Sequence, residues 1–280
     1  MSLTKQIIHG DNLIELPKLP SNFATMIYID PPFGTGKTQK RNRIKAVQSD
    51  ANGDRVGFGG KNYQTINIES PSYEDSFENF EDFLMPRIEA SLHCLTKNGS
   101  LFVHLDYREV HYIKVALDKL LGRDKFMNEI IWSYDYGARS KTKWSAKHDT
   151  ILWYVLNPKD YIFNYDAIDR IPYLAPGLVG KEKAARGKTP TTVWWNTIVP
   201  TNGSEGTKYP TQKPMKILER LVKVHSNPED TVLDFFCGSG TTGDAAFKND
   251  RGYVLIDQNA QAIEIVKKRL NANARKDGKV

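Results

Sequence analysis

The segment Met26–Phe33, which reads MIYIDPPF, decides the fold. Its apolar run has strand composition without clean alternation, which is typical of a strand buried on both faces of a parallel sheet. The two prolines then prevent the chain from continuing as strand or helix. Asp30 and Phe33 are therefore expected just beyond the carboxyl end of a central strand, where open α/β sheets bind ligands. An ordinary strand-ending turn is the simpler alternative, because Asp-Pro is a common turn starter.

The residue types in this turn suit a flat ligand. Asp30 and a proline carbonyl could hydrogen-bond the edge of a planar group while Phe33 covers its face. A nucleobase with an exocyclic amine fits that description.

Composition narrows the class of protein. Hydrophobic residues make up 40% and charged residues 26% of the 280 positions, as in soluble globular proteins, and the length suits one α/β domain with insertions or two domains. Cys94 and Cys237 have neither metal-site nor disulfide spacing and are expected to be small, buried or half-buried thiols in a reducing compartment. Because the chain shows no signal-peptide pattern and no long apolar run, we expect a cytoplasmic protein.

Basic residues are concentrated in three clusters, although the formal net charge is only +6. The clusters are Lys37 to Lys45, Arg139 to Lys147, and Lys181 to Lys188. They suit polyanion binding, although a run of charge is also typical of a solvated surface.

Hydrophobic periodicity predicts alternating strands and helices, which is typical of an α/β fold. Strand patterns lie at 6–10, 26–29, 100–105, 128–134, 150–156, 231–235 and 252–256, and helical patterns at 76–96, 108–121, 214–226, 241–248 and 260–270. Asn98 and Gly99 are expected to close the first long helix. Strands 7–9 and 26–29 are expected to be neighbours, which would place Asp11 beside Asp30, although Asp11 also suits a helix N-cap.

Two long segments look irregular. Segment 34–70 is rich in glycine and basic residues, which favours a lid or a nucleic-acid contact. Its GTGKT run lacks the first glycine of a phosphate loop, since Pro31 stands there, and an ATP site is therefore disfavoured. Segment 157–207 interleaves aromatic and basic residues and favours a binding insert, although Trp194 and Trp195 would each equally suit an anchor to the core.

A second site is predicted near the end of the chain. The loop Phe236–Gly240 follows a strand and opens a helix, and Asp257 ends the next strand. Such a loop lets a nucleoside approach the backbone, and the acid suits ribose hydroxyls. A nucleoside cofactor without pyrophosphate is the ligand that we expect at this loop.

Taken together, the two sites resemble those of S-adenosylmethionine-dependent DNA amino-methyltransferases. The resemblance is to the permuted group in which the catalytic motif precedes the cofactor motif, which includes type II and type III modification enzymes. The segments 211–214 (TQKP) and 147–152 (KHDTIL) match further family segments. Family membership implies a Rossmann-like sheet of seven mostly parallel strands with helices on both faces. The divisions would be a catalytic half (1–156), a target-recognition insert (157–207) and a cofactor-binding half (208–280).

The resemblance also implies residue roles. Asp30, Pro31, Pro32 and Phe33 would hold a flipped base, with Phe33 stacking on it where the family more often has Tyr. The cofactor would contact Asp11, Asn12, Thr211, Lys213, Asp234, Phe236, Cys237, Gly238, Ser239, Gly240, Thr241 and Asp257. DNA would contact Lys37, Lys40, Arg41, Arg43, Arg139, Ser140, Lys141, Lys147 and His148.

The expected reaction is methyl transfer from S-adenosylmethionine to adenine N6 in double-stranded DNA, without a metal or a covalent intermediate. Cytosine N4 is the alternative, disfavoured because serine rather than Asp is usual there. Cytosine C5 would need a Cys after Pro, which the chain lacks. A catalytically silent nucleic-acid-binding protein and a methyltransferase for RNA or small molecules also remain open. The resemblance allows a homodimer and a cognate restriction endonuclease, and the sequence decides neither.

Overall fold

The computed structural model describes residues 4–32, 79–137, 139–199, 205–207, 209 and 211–276, together with the backbone of five short strands between 39 and 73. In chain order the strands are β1 (Lys5–His9), β2 (Ala24–Ile29), β3 (Gln39–Lys40), β4 (Arg43–Gln48), β5 (Arg55–Val56), β6 (Asn62–Ile68), β7 (Ser72–Tyr73), β8 (Leu95–Leu105), β9 (Phe126–Ser133), β10 (His148–Val155), β11 (Val193–Trp195), β12 (Thr231–Asp234) and β13 (Gly252–Asp257). The α-helices are α1 (Asn12–Glu15), α2 (Phe80–Ser91), α3 (Val110–Leu121), α4 (Lys181–Arg186), α5 (Met215–His225), α6 (Thr241–Lys248) and α7 (Ala260–Lys276).

One mostly parallel sheet organises the molecule, with the strand order β1-β13-β12-β2-β8-β10-β9-β11. Only β10 runs against the other strands of this sheet. Strands β9 and β10 are therefore antiparallel neighbours. The expected number of seven strands is wrong, because the short strand β11 adds an eighth at the β9 edge.

Strand β2 lies in the interior of this sheet, and all six of its residues are buried. Met26 and Tyr28 join an apolar cluster with α5, α6 and α7, whereas Ile27 and Ile29 join the opposite cluster with α2 and α3. The missing hydrophobic alternation of this strand thus reflects burial on both faces. Each fully buried apolar side chain contributes roughly 1.5–3 kcal/mol, so the strand is fixed firmly in the core.

Sequence expectations about one strand neighbour and about the two ends of the first long helix are wrong. Strand β1 pairs with β13, and both β13 and β12 separate it from β2. The first long helix ends at Ser91, and Asn98 and Gly99 lie inside β8, where the pairing with β2 shifts register. The helix also starts at Phe80, with Asn79 as its N-cap, rather than at 76.

The two segments expected to be irregular contain some regular backbone. Between 39 and 73, strands β3 and β7 pair with each other, and β4, β6 and β5 form a small sheet. Segment 157–207 contributes α4 and the edge strand β11. Within the described part of the chain, no helix is both long enough and apolar enough to cross a bilayer.

Candidate active site

A pocket opens at the carboxyl ends of β2, β12 and β13, where the sheet topology places ligand sites. It gathers most of the residues singled out from the sequence, namely Asn12, Asp30, Pro31, Pro32, Thr211, Lys213, Asp234, Phe236, Cys237, Gly238, Ser239, Thr241 and Asp257. The two predicted sites are therefore one site.

Asp30 stands directly after β2, and its two carboxylate oxygens differ in their surroundings. Oδ2 accepts a hydrogen bond from Lys213 Nζ at 2.7 Å, although 183 positions separate the two residues. Oδ1 is buried and accepts no hydrogen bond from the described residues. A buried acceptor without a partner costs about 1–3 kcal/mol, so Oδ1 is prepared to accept a hydrogen bond from a ligand.

The glycine loop requires two glycines for conformational reasons. Gly238 and Gly240 have φ angles of +47° and +73°, in the left-handed region that L side chains rarely adopt. A Cβ at Gly240 would also lie 2.9 Å from Val266 Cγ2 of α7. The Gly238 amide donates to Asp257 Oδ2 at 2.8 Å, which ties the loop to the end of β13.

Burial dominates the electrostatics of the pocket floor. Burial raises the pKa of Asp234 to about 7, although the hydrogen bonds from Thr242 and from the Phe236 amide oppose the shift. Burial also raises the pKa of Asp257 above its usual value. The pocket is thus lined by three acidic side chains, Asp30, Asp234 and Asp257, and by two basic ones, Arg87 and Lys213, so it suits a ligand that carries both cationic and anionic groups.

The start of the chain reaches the pocket through Asn12. Its Nδ2 donates to the Phe235 carbonyl at 2.9 Å, and its Oδ1 accepts from Arg87 Nε at 2.7 Å. Asp11 caps α1 by accepting from the Leu13 amide at 2.9 Å, and it does not line the pocket. The N-cap alternative for Asp11 is therefore confirmed.

A chain of four polar side chains, three buried and one half-buried, runs from the pocket wall along the same edge of the sheet. Tyr28, which lines the pocket, makes a hydrogen bond to His104 Nδ1 at 2.7 Å, and His104 Nε2 lies 3.3 Å from Asp149 Oδ2. Tyr134 donates to Asp149 Oδ1 at 3.2 Å. Burial would raise the pKa of Asp149, but the hydrogen bond to His104 and the nearby Lys213 lower it below the usual value.

The predicted DNA contacts that the structure describes lie in the connection between β9 and β10. Arg139, Ser140 and Lys141 are exposed, whereas Lys147 and His148 are half-buried. Phe33, Lys37 and Arg41 lie outside the described residues, and the side chains of Lys40 and Arg43 also lie outside them.

Comparison with known proteins identifies the family. The family model of DNA methylases matches residues 24–268, which is most of the chain. The chain belongs to the DNA methylase family. A relative named DNA adenine methyltransferase YhdJ, from Escherichia coli strain K12, is 30% identical over 280 residues, covering 95% of this chain and 83% of the relative.

Two solved structures share the fold of this methylase. The M1.HpyAVI–SAM complex has a TM-score of 0.60 at 22% identity, and the match covers 96% of this chain and all of that one. The PvuII DNA methyltransferase, described as cytosine-N4-specific, has a TM-score of 0.64 at 14% identity over 96% of this chain and 90% of that one.

The methyl donor of this family is S-adenosylmethionine, and the pocket residues suit it. The donor carries a positive sulfonium and an ammonium group, which the three acidic side chains favour. Gly238 lines the pocket, and a Cβ there would lie 3.3 Å from Tyr209 Cε1 in the same lining, whereas Gly240 does not line the pocket. When bound, this cofactor supplies an electrophilic methyl group.

Several pocket residues of the methylase were missed by sequence reasoning. They include Tyr28, Phe83, Arg87 and Asn259. Phe83 and Arg87 lie one turn apart on α2, and the Arg87 guanidinium stacks 4.1 Å from the Phe83 ring centroid. Helical spacing gives their common face, but only the packing of α2 beside Asn12 shows that this face borders the pocket.

Proposed function

We propose that this methylase transfers a methyl group from S-adenosylmethionine to the N6 amine of adenine in double-stranded DNA. The observation that carries the proposal is the divided environment of Asp30. Lys213 holds Oδ2, while the buried Oδ1 borders the pocket with no partner among the described residues. The name of the relative from Escherichia coli supports adenine as the target base.

The chemistry required of the protein is mainly orientation. The lone pair of an adenine amine is delocalised into the ring, which makes the nitrogen a poor nucleophile. A hydrogen bond from the amine to Asp30 Oδ1, and a second one to a carbonyl of Pro31 or Pro32, would favour a pyramidal nitrogen. The lone pair would then point at the methyl group, and pre-alignment of this kind supplies much of the rate enhancement in group transfer.

Access to the amine requires the base to leave the duplex. Unstacking and unpairing cost a few kcal/mol, which stacking on Phe33 and phosphate contacts from the basic clusters would offset.

We propose segment 157–207 as the part that reads the target sequence, between a catalytic half (1–156) and a cofactor-binding half (208–280). Its two tryptophans differ, since Trp194 is buried and Trp195 is 74% exposed. A homodimer and a restriction partner stay predictions.

The test is transfer of labelled methyl from S-adenosylmethionine to unmethylated genomic DNA, followed by nucleoside analysis. We expect N6-methyladenine with the wild type and a loss of about a hundredfold to a thousandfold with Asp30→Ala, the order of effect seen when an oriented polar contact is removed from an active site. Glu109→Ala, at the start of α3 and away from the pocket lining, is the matched control and should keep activity. Cofactor binding by Asp30→Ala, measured by calorimetry, separates lost chemistry from lost folding.

Cytosine N4 is the second candidate, since its exocyclic amine also carries two protons, one for Asp30 Oδ1 and one for a proline carbonyl. The same nucleoside analysis decides between the bases. N4-methylcytosine as the only product would overturn adenine and retain the mechanism. Good cofactor binding with no transfer to any DNA would favour the silent binding protein or a different substrate.

A further inference from the structure

An unusually exposed tryptophan stands in the β9–β10 connection. Trp144 is 99% exposed, although tryptophan is one of the more buried residue types in folded proteins. It takes no part in the core of the protein or in the pocket lining. Its exposure is therefore unexplained by the fold.

The turn that carries Trp144 is closed by its own hydrogen bonds. The Ser140 amide donates to Ser145 Oγ at 2.7 Å, and Ser140 Oγ accepts from the amides of Thr142 and Lys143 at 3.2 and 3.3 Å. These bonds hold residues 140–145 in a compact turn with the indole directed into solvent. An exposed ring presented on a fixed turn loses little conformational entropy when it binds.

The surroundings of Trp144 are basic. Lys141 and Lys143 are exposed on the same turn, and Arg139 precedes it. Phosphate groups are the natural counterions of such a cluster, and cations beside an aromatic ring characterise surfaces that bind unstacked bases.

The connection is also fixed beside the pocket. Its first residue, Tyr134, donates to Asp149 just after its end, and the chain through His104 reaches Tyr28 in the pocket wall. Strand β9 lies three places from β2 in the sheet, which is roughly 14 Å at about 4.8 Å per strand.

From these observations we propose that Trp144 inserts its indole into the DNA base stack next to the position vacated by the flipped base. The inference rests on the proposed function, since it presumes base flipping by this methylase. An extruded base leaves its neighbours unstacked, and an aromatic face restores the lost stacking with any flanking sequence. Apolar side chains wedged between base steps are a known physical means of holding DNA distorted. Trp144 is thus a positioning residue that favours the flipped state without touching the reacting atoms.

The test compares methyl transfer to two synthetic duplexes, built on a target site first mapped by sequencing DNA methylated by the wild type. One duplex is fully paired, and the other has a mismatch opposite the target base, which lowers the cost of flipping. We expect Trp144→Ala to lower kcat/KM on the paired duplex by about tenfold or more, as befits the loss of one base–aromatic stacking contact. The mismatched duplex should recover most of that loss, and Trp144→Phe should retain most of the activity on both.

Lys141→Ala is the matched control on the same turn. A phosphate contact acts on both duplexes alike, so this variant should lower kcat/KM by the same factor on each. An unchanged rate for Trp144→Ala, or an equal loss on both duplexes, would overturn the role of Trp144 while leaving the proposed function intact. Absence of transfer by the wild type would overturn both proposals.

Discussion

At the scale of single residues, the central feature is that the two carboxylate oxygens of Asp30 have different roles. Lys213 supplies a compact positive charge to one oxygen, and the side chains of the pair are only 8% and 17% exposed. The pair fixes the carboxylate plane and leaves the other oxygen for the target amine. The same lysine was expected from the family resemblance to lie near the cofactor carboxylate, and that role stays a prediction beside the observed ion pair.

Replacing Lys213 with Met tests what the ion pair contributes. The variant keeps most of the length of the side chain and leaves a partly buried carboxylate unpaired, so we expect a loss of roughly 2–3 kcal/mol in the free energy of unfolding. Methyl transfer should fall at least tenfold, because Asp30 is then free to reorient. Urea unfolding and initial rates measure the two effects.

The double variant Lys213→Met with Asp30→Asn provides the control. A neutral amide needs no counterion, so the double variant should regain most of the stability without regaining wild-type activity. A double variant no more stable than Lys213→Met alone would show that the lysine stabilises the fold by packing rather than by charge.

At the scale of elements, the unit β12–loop–α6–β13 depends on close approach of a helix to the sheet. A Cβ at Gly243 of α6 would lie 2.4 Å from Leu255 Cδ1 of β13. Gly243 follows Gly238 and Gly240 at the spacing of a dinucleotide fingerprint, and it permits the close helix–strand packing that the third glycine provides in that motif.

Gly243→Ala should therefore destabilise the protein. Alanine is the better helix former by about 1 kcal/mol, but overpacking costs about 1–3 kcal/mol, so we expect a net loss of up to roughly 2 kcal/mol. Cofactor affinity should fall as well, because α6 begins at the glycine loop. Gly177→Ala is the control, since a Cβ there meets no atom of the described residues within 4 Å, and its stability should stay within about 0.5 kcal/mol of wild type. A Gly243→Ala protein more stable than the wild type would show that the Leu255 side chain adopts another rotamer without cost.

The elements also show what a sequence can reveal. Periodicity locates β2, α5 and β13 closely, because burial of one face or of both leaves a local pattern. The pairing of β1 with β13 leaves no local pattern, since the partners are nearly 250 positions apart. Sequence motifs identified Asp30 and Asp257 as site residues. Arg87 was missed because its place in the pocket depends on how α2 packs. Trp194 and Trp195 look alike in sequence, and only the register of β11 separates the buried ring from the exposed one.

At the scale of the whole molecule, a buried histidine makes stability depend on pH. His225 lies among aromatic rings, with ring centroids at 4.7 Å from Phe102, 4.5 Å from Trp153 and 5.5 Å from Phe163. Burial lowers its pKa to about 3, against 6.5 ordinarily. The unfolded chain therefore binds a proton below pH 6.5 that the folded protein excludes. This contribution to stability is complete above pH 6.5 and is lost as the pH falls toward 3.

Between pH 7 and pH 5 this group alone should remove about 2 kcal/mol from the free energy of unfolding. Urea titrations at these two pH values measure the change. We expect His225→Gln to have a lower free energy of unfolding than the wild type at both pH values. The change in that free energy between pH 7 and pH 5 should be smaller than in the wild type by about 2 kcal/mol. His111→Gln, at an exposed position of α3, should keep the wild-type difference. Equal differences for all three proteins would mean that His225 takes up its proton without unfolding.

The strand order has a consequence for how the molecule is made. Strand β1 leaves the ribosome well before its partner β13, and Asp30 precedes Lys213 by 183 positions. In a nascent chain, one edge of β2 can therefore pair with β8 while the other edge stays unpaired until β12 has been synthesised. Pairings of such high contact order form slowly, and the half-built sheet exposes apolar surface in the meantime. Methyl transfer can begin only after β13 has been synthesised, because the pocket is lined by Asp30, Lys213 and Asp257 together.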